Sequence, residues 1–149
     1  MKTRLDMKNT EPEAYQAMMG FEKYLSKTSI SKAHKNLLKI RASQLNGCAY
    51  CVDMHSYEAL EAGESQQKLF LVSCWRETDL FNEEEKAVLA LTEEVTLISN
   101  RLSDETYEHA VGLLGEKYVA QLMMAIITIN AWNRIGVATE MKPAERVLA

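Results

Sequence analysis

A chain of 149 residues, 47% hydrophobic and 26% charged, is sized for one globular domain that buries about 70% of its unfolded surface, and it is too apolar to be disordered. Its net charge of −4 and lack of a dense Lys/Arg run argue against nucleic acid as a partner. The longest clean apolar run, Leu122 to Ile129, is far too short to span a bilayer, and Met1 to Asp6 carries no apolar leader, so a cytoplasmic protein away from membranes is expected.

Proline occurs only at Pro12 and Pro143, so the interior has no proline breaks, and its apolar spacing is helical throughout. A first helix is predicted from Thr10 to about Lys27, with Pro12 in its first turn and an apolar side of Ala14, Tyr15, Met18, Phe21 and Leu25. Ser31 can cap a second, which carries Leu37, Leu38, Ile40 and Leu45 and ends at Asn46-Gly47. A third runs from Cys48 to about Ala62, and a short fourth from near Ser65 to Trp75. Asn82 before Glu83-Glu84-Glu85 is a strong helix start, with Glu85 at the capping-box position. That helix is expected to last to Asn100. Ser103-Asp104-Glu105 opens the next, which Gly112 and Gly115 weaken and end. The last helix, about Glu116 to Thr139, is apolar around nearly its whole circumference between Val119 and Ile129. Such a helix belongs at the centre of a fold or in a subunit interface. The expectation is a single all-α domain over residues 1–149, with about six or seven helices.

The chemistry concentrates in Asn46-Gly47-Cys48-Ala49-Tyr50-Cys51-Val52-Asp53-Met54-His55. On a helix, Cys48, Cys51 and His55 share one face. A helix N-terminus and a nearby imidazolium both stabilise the thiolate, which is the reactive form of cysteine. The spacing of Cys48 and Cys51 also allows a reversible disulfide. Glu58, three residues after His55, can orient the imidazole or be a solvated surface acid. Dipole and imidazole disagree about which thiol ionises first, because Cys48 is nearer the helix start and Cys51 nearer His55.

Two other readings stand beside a redox dithiol. Cys48, Cys51 and His55 supply three zinc ligands, but a structural zinc site wants four, and the fourth must come from His34, His109 or Cys74. Alternatively the protein is an oligomeric structural component without turnover. Three cysteines are a poor disulfide framework. Cys74, alone in Leu71-Val72-Ser73-Cys74-Trp75, is expected to be a buried thiol. His34 and His109 are expected to be ordinary surface or satisfied histidines.

The run from Arg41 to His55 closely resembles the core of the alkylhydroperoxidase D-like proteins of the carboxymuconolactone decarboxylase superfamily. The resemblance continues through Trp75-Arg76-Glu77-Thr78, Ala90-Leu91-Thr92-Glu93 and Asn130-Ala131-Trp132-Asn133-Arg134. It implies an all-helical fold assembled as trimers or hexamers. It also implies peroxidase or disulfide-reductase activity on small or organic hydroperoxides, sustained by an external thiol or dithiol and needing no cofactor beyond the Cys48–Cys51 pair. By the same resemblance Cys51 attacks the peroxide, Cys48 resolves the product and His55 belongs to the proton relay. The family's relay glutamate falls at Asn36, and its histidine between the cysteines is replaced by Ala49-Tyr50. Both departures imply weak peroxidase turnover, with a gain expected on Asn36→Glu.

Overall fold

The computed structural model describes residues 3–146, and among them every regular element is helical. In chain order these are α1 (Met7–Thr10), α2 (Pro12–Leu25), α3 (Lys32–Leu45), α4 (Ala49–Glu61), α5 (Gln66–Phe70), α6 (Glu83–Thr96), α7 (Asp104–Leu114) and α8 (Glu116–Ala138). Short 3-10 turns at Val72–Glu77 and Ile98–Asn100 follow α5 and α6. The expected boundaries hold where a side-chain cap fixes them. Ser31 accepts the His34 N–H at the start of α3, and Asn82 and Glu85 make the full reciprocal box at the start of α6.

They shift where the backbone overrides the apolar pattern. The expected first helix is α2, with Pro12 in its first turn, and the short α1 before it is unexpected. The two are kept apart because Glu11 precedes Pro12 and takes a non-helical conformation (φ −137°, ψ 73°), since proline's ring clashes with the helical conformation of the residue before it. In α7 the boundary holds: the helix runs through Gly112 and ends at Gly115 (φ 83°). The expected fourth helix breaks after Phe70 into the Val72–Glu77 turn, where Cys74 is itself non-helical (φ −126°, ψ 35°). Val72 and Trp75, three apart, point inward, so Cys74 points out and is exposed. The expectation of a buried Cys74 thiol is therefore corrected: a tight turn, unlike an α-helix, leaves it no room on the apolar side.

The core lies in two clusters on either side of α3 and α6. One joins Leu38 and Ala42 to Val88, Leu91, Leu122, Ile126 and Ile129. The other joins Leu37 and Ile40 to Ala59, Val72, Trp75, Phe81 and Leu89. The central helix is thus α3, whose Leu37, Leu38, Ile40, Ala42 and Ser43 are fully buried. The long α8 is also largely buried from Val119 to Ile129, with Ile127 half exposed there and Val137 half exposed beyond it. On α2 only Leu25 is buried, leaving Phe21 and Tyr24 open. The buried position of α3 sets the site, because α3 ends where the two cysteines begin.

Candidate active site

The turn from α3 into α4 is short. Asn46 closes α3, Gly47 takes the left-handed conformation (φ 66°) that glycine adopts without strain, and Cys48 follows as the N-cap of α4. The Cys48 N–H donates to the Ser43 carbonyl, and its sulfur accepts the Cys51 N–H at 3.3 Å. This leaves Cys51 in the first turn of α4, within the positive end of the helix dipole. Cys48 and Cys51 form a disulfide, with Cα atoms 5.3 Å apart. Both residues are buried.

The two sulfurs face different surroundings. A Cβ on Gly136 of α8 would lie 3.0 Å from the Cys48 sulfur and 3.5 Å from that of Cys51, so the disulfide rests on bare helix backbone. Behind it, Asn133 is fully buried and donates to Ser43, while Asn46 donates to Asn130 and Asn133. In front lies a cavity of about 480 Å³, within the usual size of a small-molecule site. Cys51 lines it and Cys48 does not; His55, Glu58, Tyr50 and Met54 of α4 share its wall. Tyr15 and Glu22 come from α2, Lys39 from α3, and Trp132, Ile135 and Gly136 from α8. The segment from Thr3 to Lys8 covers it, and Arg4 fastens that segment to the end of α8 through the Thr139 and Ala138 carbonyls and the Glu140 carboxylate.

His55 is buried beside Cys51, and its Nδ1 meets Glu58 Oε2 at 2.8 Å. A proton on Nδ1 leaves Nε2 with a lone pair. Burial pushes the imidazole below its usual range, against the Glu58 hydrogen bond, which pulls it up. The neutral base is therefore the resting form near neutral pH. Asn36 is half-buried on α3 and is not part of the cavity wall; the α3 side chain on that wall is Lys39, one turn later.

A sequence model of the carboxymuconolactone decarboxylase family matches residues 12–94, more than half of the chain. The chain belongs to the carboxymuconolactone decarboxylase family. Its relatives include the uncharacterized protein YdfG of Bacillus subtilis (strain 168), 40% identical over 147 residues that span 98% of this chain and 100% of YdfG. A crystal structure of ATU0492 from Agrobacterium tumefaciens, a protein of unknown function for which an AhpD-type antioxidant role has been suggested, superposes with a TM-score of 0.94. It is 35% identical and covers 97% of this chain and 100% of that one. The debrominase Bmp8 shares the fold, with a TM-score of 0.82 at 20% identity over 91% of this chain and 74% of its own.

Two of the other segments that resemble this family, those holding Trp75-Arg76 and Glu93, meet in one ionic cluster with Arg41. Glu93 accepts from Arg41 at 2.8 Å, Trp75 at 2.9 Å and Arg76 at 2.6 Å. Burial works to raise the Glu93 carboxyl, but the hydrogen bonds from Arg76, Trp75 and Arg41 outweigh it and hold the group below the usual carboxylate range. This cluster pins α3 to α6 behind the family's cysteine turn. His34 is likewise structural, its Nδ1 2.7 Å from the Tyr118 hydroxyl. Among the described residues no group of three or more His, Cys, Asp and Glu side chains could hold a metal ion. The residue that sequence reasoning missed is Glu22. Its one local signal is the seven-residue spacing from Tyr15, which puts both on one face of α2; its partner, the Trp132 indole at 2.9 Å, is 110 residues away.

Proposed function

We propose that this protein is a thiol-dependent peroxidase that reduces hydroperoxides through Cys48 and Cys51. The observation that carries the reading is that Cys51 alone of the pair faces the cavity, beside a neutral, carboxylate-oriented histidine. In the reduced protein, His55 takes the Cys51 proton, and the thiolate attacks the terminal peroxide oxygen. An S–O bond forms, the O–O bond breaks, and the departing alkoxide leaves as the alcohol with the proton that His55 returns. The Cys48 thiol then attacks the Cys51 sulfenic sulfur, forming the disulfide and releasing water. An external thiol or dithiol restores both thiols by exchange and is itself oxidised to a disulfide. Cys48 has no contact with the cavity, which fits the resolving role.

The YdfG and ATU0492 likenesses support a family role but name no substrate. We further propose that the protein works in the reducing cytoplasm, where the dithiol is regenerated, and as a homo-oligomer, trimeric or hexameric, that covers Phe21, Tyr24 and Ile127. Steady-state turnover of hydroperoxides with a thiol donor tests the central reading. Cys51→Ser is expected to abolish turnover, and Cys48→Ser to stop after one equivalent of peroxide with a trappable sulfenic acid. Retained turnover in Cys51→Ser overturns the assignment.

A further inference from the structure

The cavity has a wall that the thiol chemistry does not use. Tyr15 of α2 and Trp132 of α8 stand edge to face, with ring centroids 5.5 Å apart and planes at 64°. Both rings line the cavity that holds Cys51, together with Leu5, Met7, Ile135 and Met141. Across the helix pair, the Trp132 indole N–H donates to Glu22 Oε1 at 2.9 Å. A tryptophan pivoting about its side-chain bonds needs such an anchor to present one face, and a partly buried carboxylate is a strong acceptor for it. The cavity is also far larger than hydrogen peroxide requires, at about 480 Å³.

We propose that Tyr15 and Trp132, with Trp132 clamped by Glu22, form a specificity wall that reads the organic group of the substrate and favours bulky aryl or branched-alkyl hydroperoxides over hydrogen peroxide. The inference rests on the peroxidase reading of the same site. The O–O group lies at Cys51 and His55, and the apolar body displaces water from the aromatic wall. Glu22 is a positioning residue here: it acts on the organic group through Trp132. Because its carboxylate also lines the cavity and its charge works to raise the His55 pKa, its role is read in the ratio between the two peroxides, to which the shared base contributes equally. Hydrogen peroxide has no apolar body to place there, so the wall contributes to one substrate class and not to the other.

Two measurements test this, and the first needs no turnover. Cumyl alcohol, the unreactive product of cumene hydroperoxide, is titrated into the oxidised protein while the indole N–H of Trp132 is followed by NMR. Saturable shifts of that resonance are expected, with binding weakened about tenfold or more in Tyr15→Ala; in Trp132→Ala, which lacks the reporter, titration calorimetry is expected to show a loss of the same order. The second is the ratio of kcat/KM for cumene hydroperoxide to that for hydrogen peroxide, expected to fall about ten- to a hundredfold in Trp132→Ala. Glu22→Ala lowers the ratio as well, and Glu22→Gln, whose amide oxygen can still accept the indole proton, retains more of it than Glu22→Ala. Tyr15 is half-buried on α2, whose one buried residue is Leu25, so Tyr15→Ala decides the matter if Trp132→Ala does not fold. Cumyl alcohol leaving the indole unmoved, or variants that lower both peroxides equally, overturns the wall. Binding that depends on Trp132 in a protein with no peroxide turnover instead leaves the wall standing and overturns the peroxidase reading.

Discussion

At the scale of single residues the site depends on one absent side chain and one held proton. Gly136 lets α8 approach the disulfide, and a methyl group there would meet the Cys48 sulfur at 3.0 Å. Neither α8 nor the short Gly47 turn can move cheaply, so Gly136→Ala is expected to cost about 1–3 kcal/mol and to make the oxidised form easier to reduce. Dithiothreitol titration of the two proteins checks it. His55 works as a base only while neutral, and burial lowers its pKa. Peroxide turnover should therefore hold through neutral pH and fall as pH drops through that lowered value, with the acid limb below the ordinary histidine range near 6.5. Glu58→Gln removes the charge that fixes Nδ1, and a loss of about 10²-fold is expected. Asn36 stands off the cavity wall while Glu58 already holds the imidazole, so Asn36→Glu is now expected to leave the rate flat. A clear gain in that variant would restore the sequence-based expectation.

The elements show which parts of this arrangement can be read from a sequence. The Ser31 and Asn82 caps, the Gly47 stop and the helical face of Cys48, Cys51 and His55 are all local, decided within four or five residues. They were legible for that reason. The Cys74 turn was not, since its inward and outward sides depend on Phe81 and Trp75 packing around it. Iodoacetamide should accordingly label one thiol per chain in the folded, oxidised protein, and peptide mapping should place it at Cys74. Labelling confined to the unfolded protein would restore a buried Cys74. Glu22 escaped for a related reason: its place is set by an indole on a helix 110 residues away, and no local pattern marks that pairing.

For the whole molecule, α3 and α6, which the two clusters flank, are joined by the Arg41–Glu93 pair, whose side chains are only 15% and 13% exposed. Removing one partner leaves the other's charge stranded, so Glu93→Ala is expected to lower stability by about 3 kcal/mol in urea. Acid should act in two stages. His34 and His55 are both held below their ordinary pKa, chiefly by burial. The unfolded chain therefore binds those protons first, and stability begins to fall as pH drops below about 6.5, continuing through the lowered folded values. Glu93, held below the carboxylate range, gives up its share only at lower pH. Urea midpoints measured across that range should fall in the first stage for the native protein and less for His34→Gln. The exposed Phe21, Tyr24 and Ile127 are the surface assigned to the proposed assembly: light scattering should show an oligomer, and Ile127→Glu should shift it toward monomer.

The cover over the cavity also joins two distant stretches of the chain. The Thr3–Lys8 segment is clasped through Arg4 at Ala138, Thr139 and Glu140, across a sequence separation of 134 residues at Ala138. A closure made between two such distant stretches is lost when either of them frays. Fraying there opens the route to Cys51, while Cys48 stays packed against Gly136. The edge of the fold can thus loosen and set the access to one sulfur while the helices behind it keep their packing.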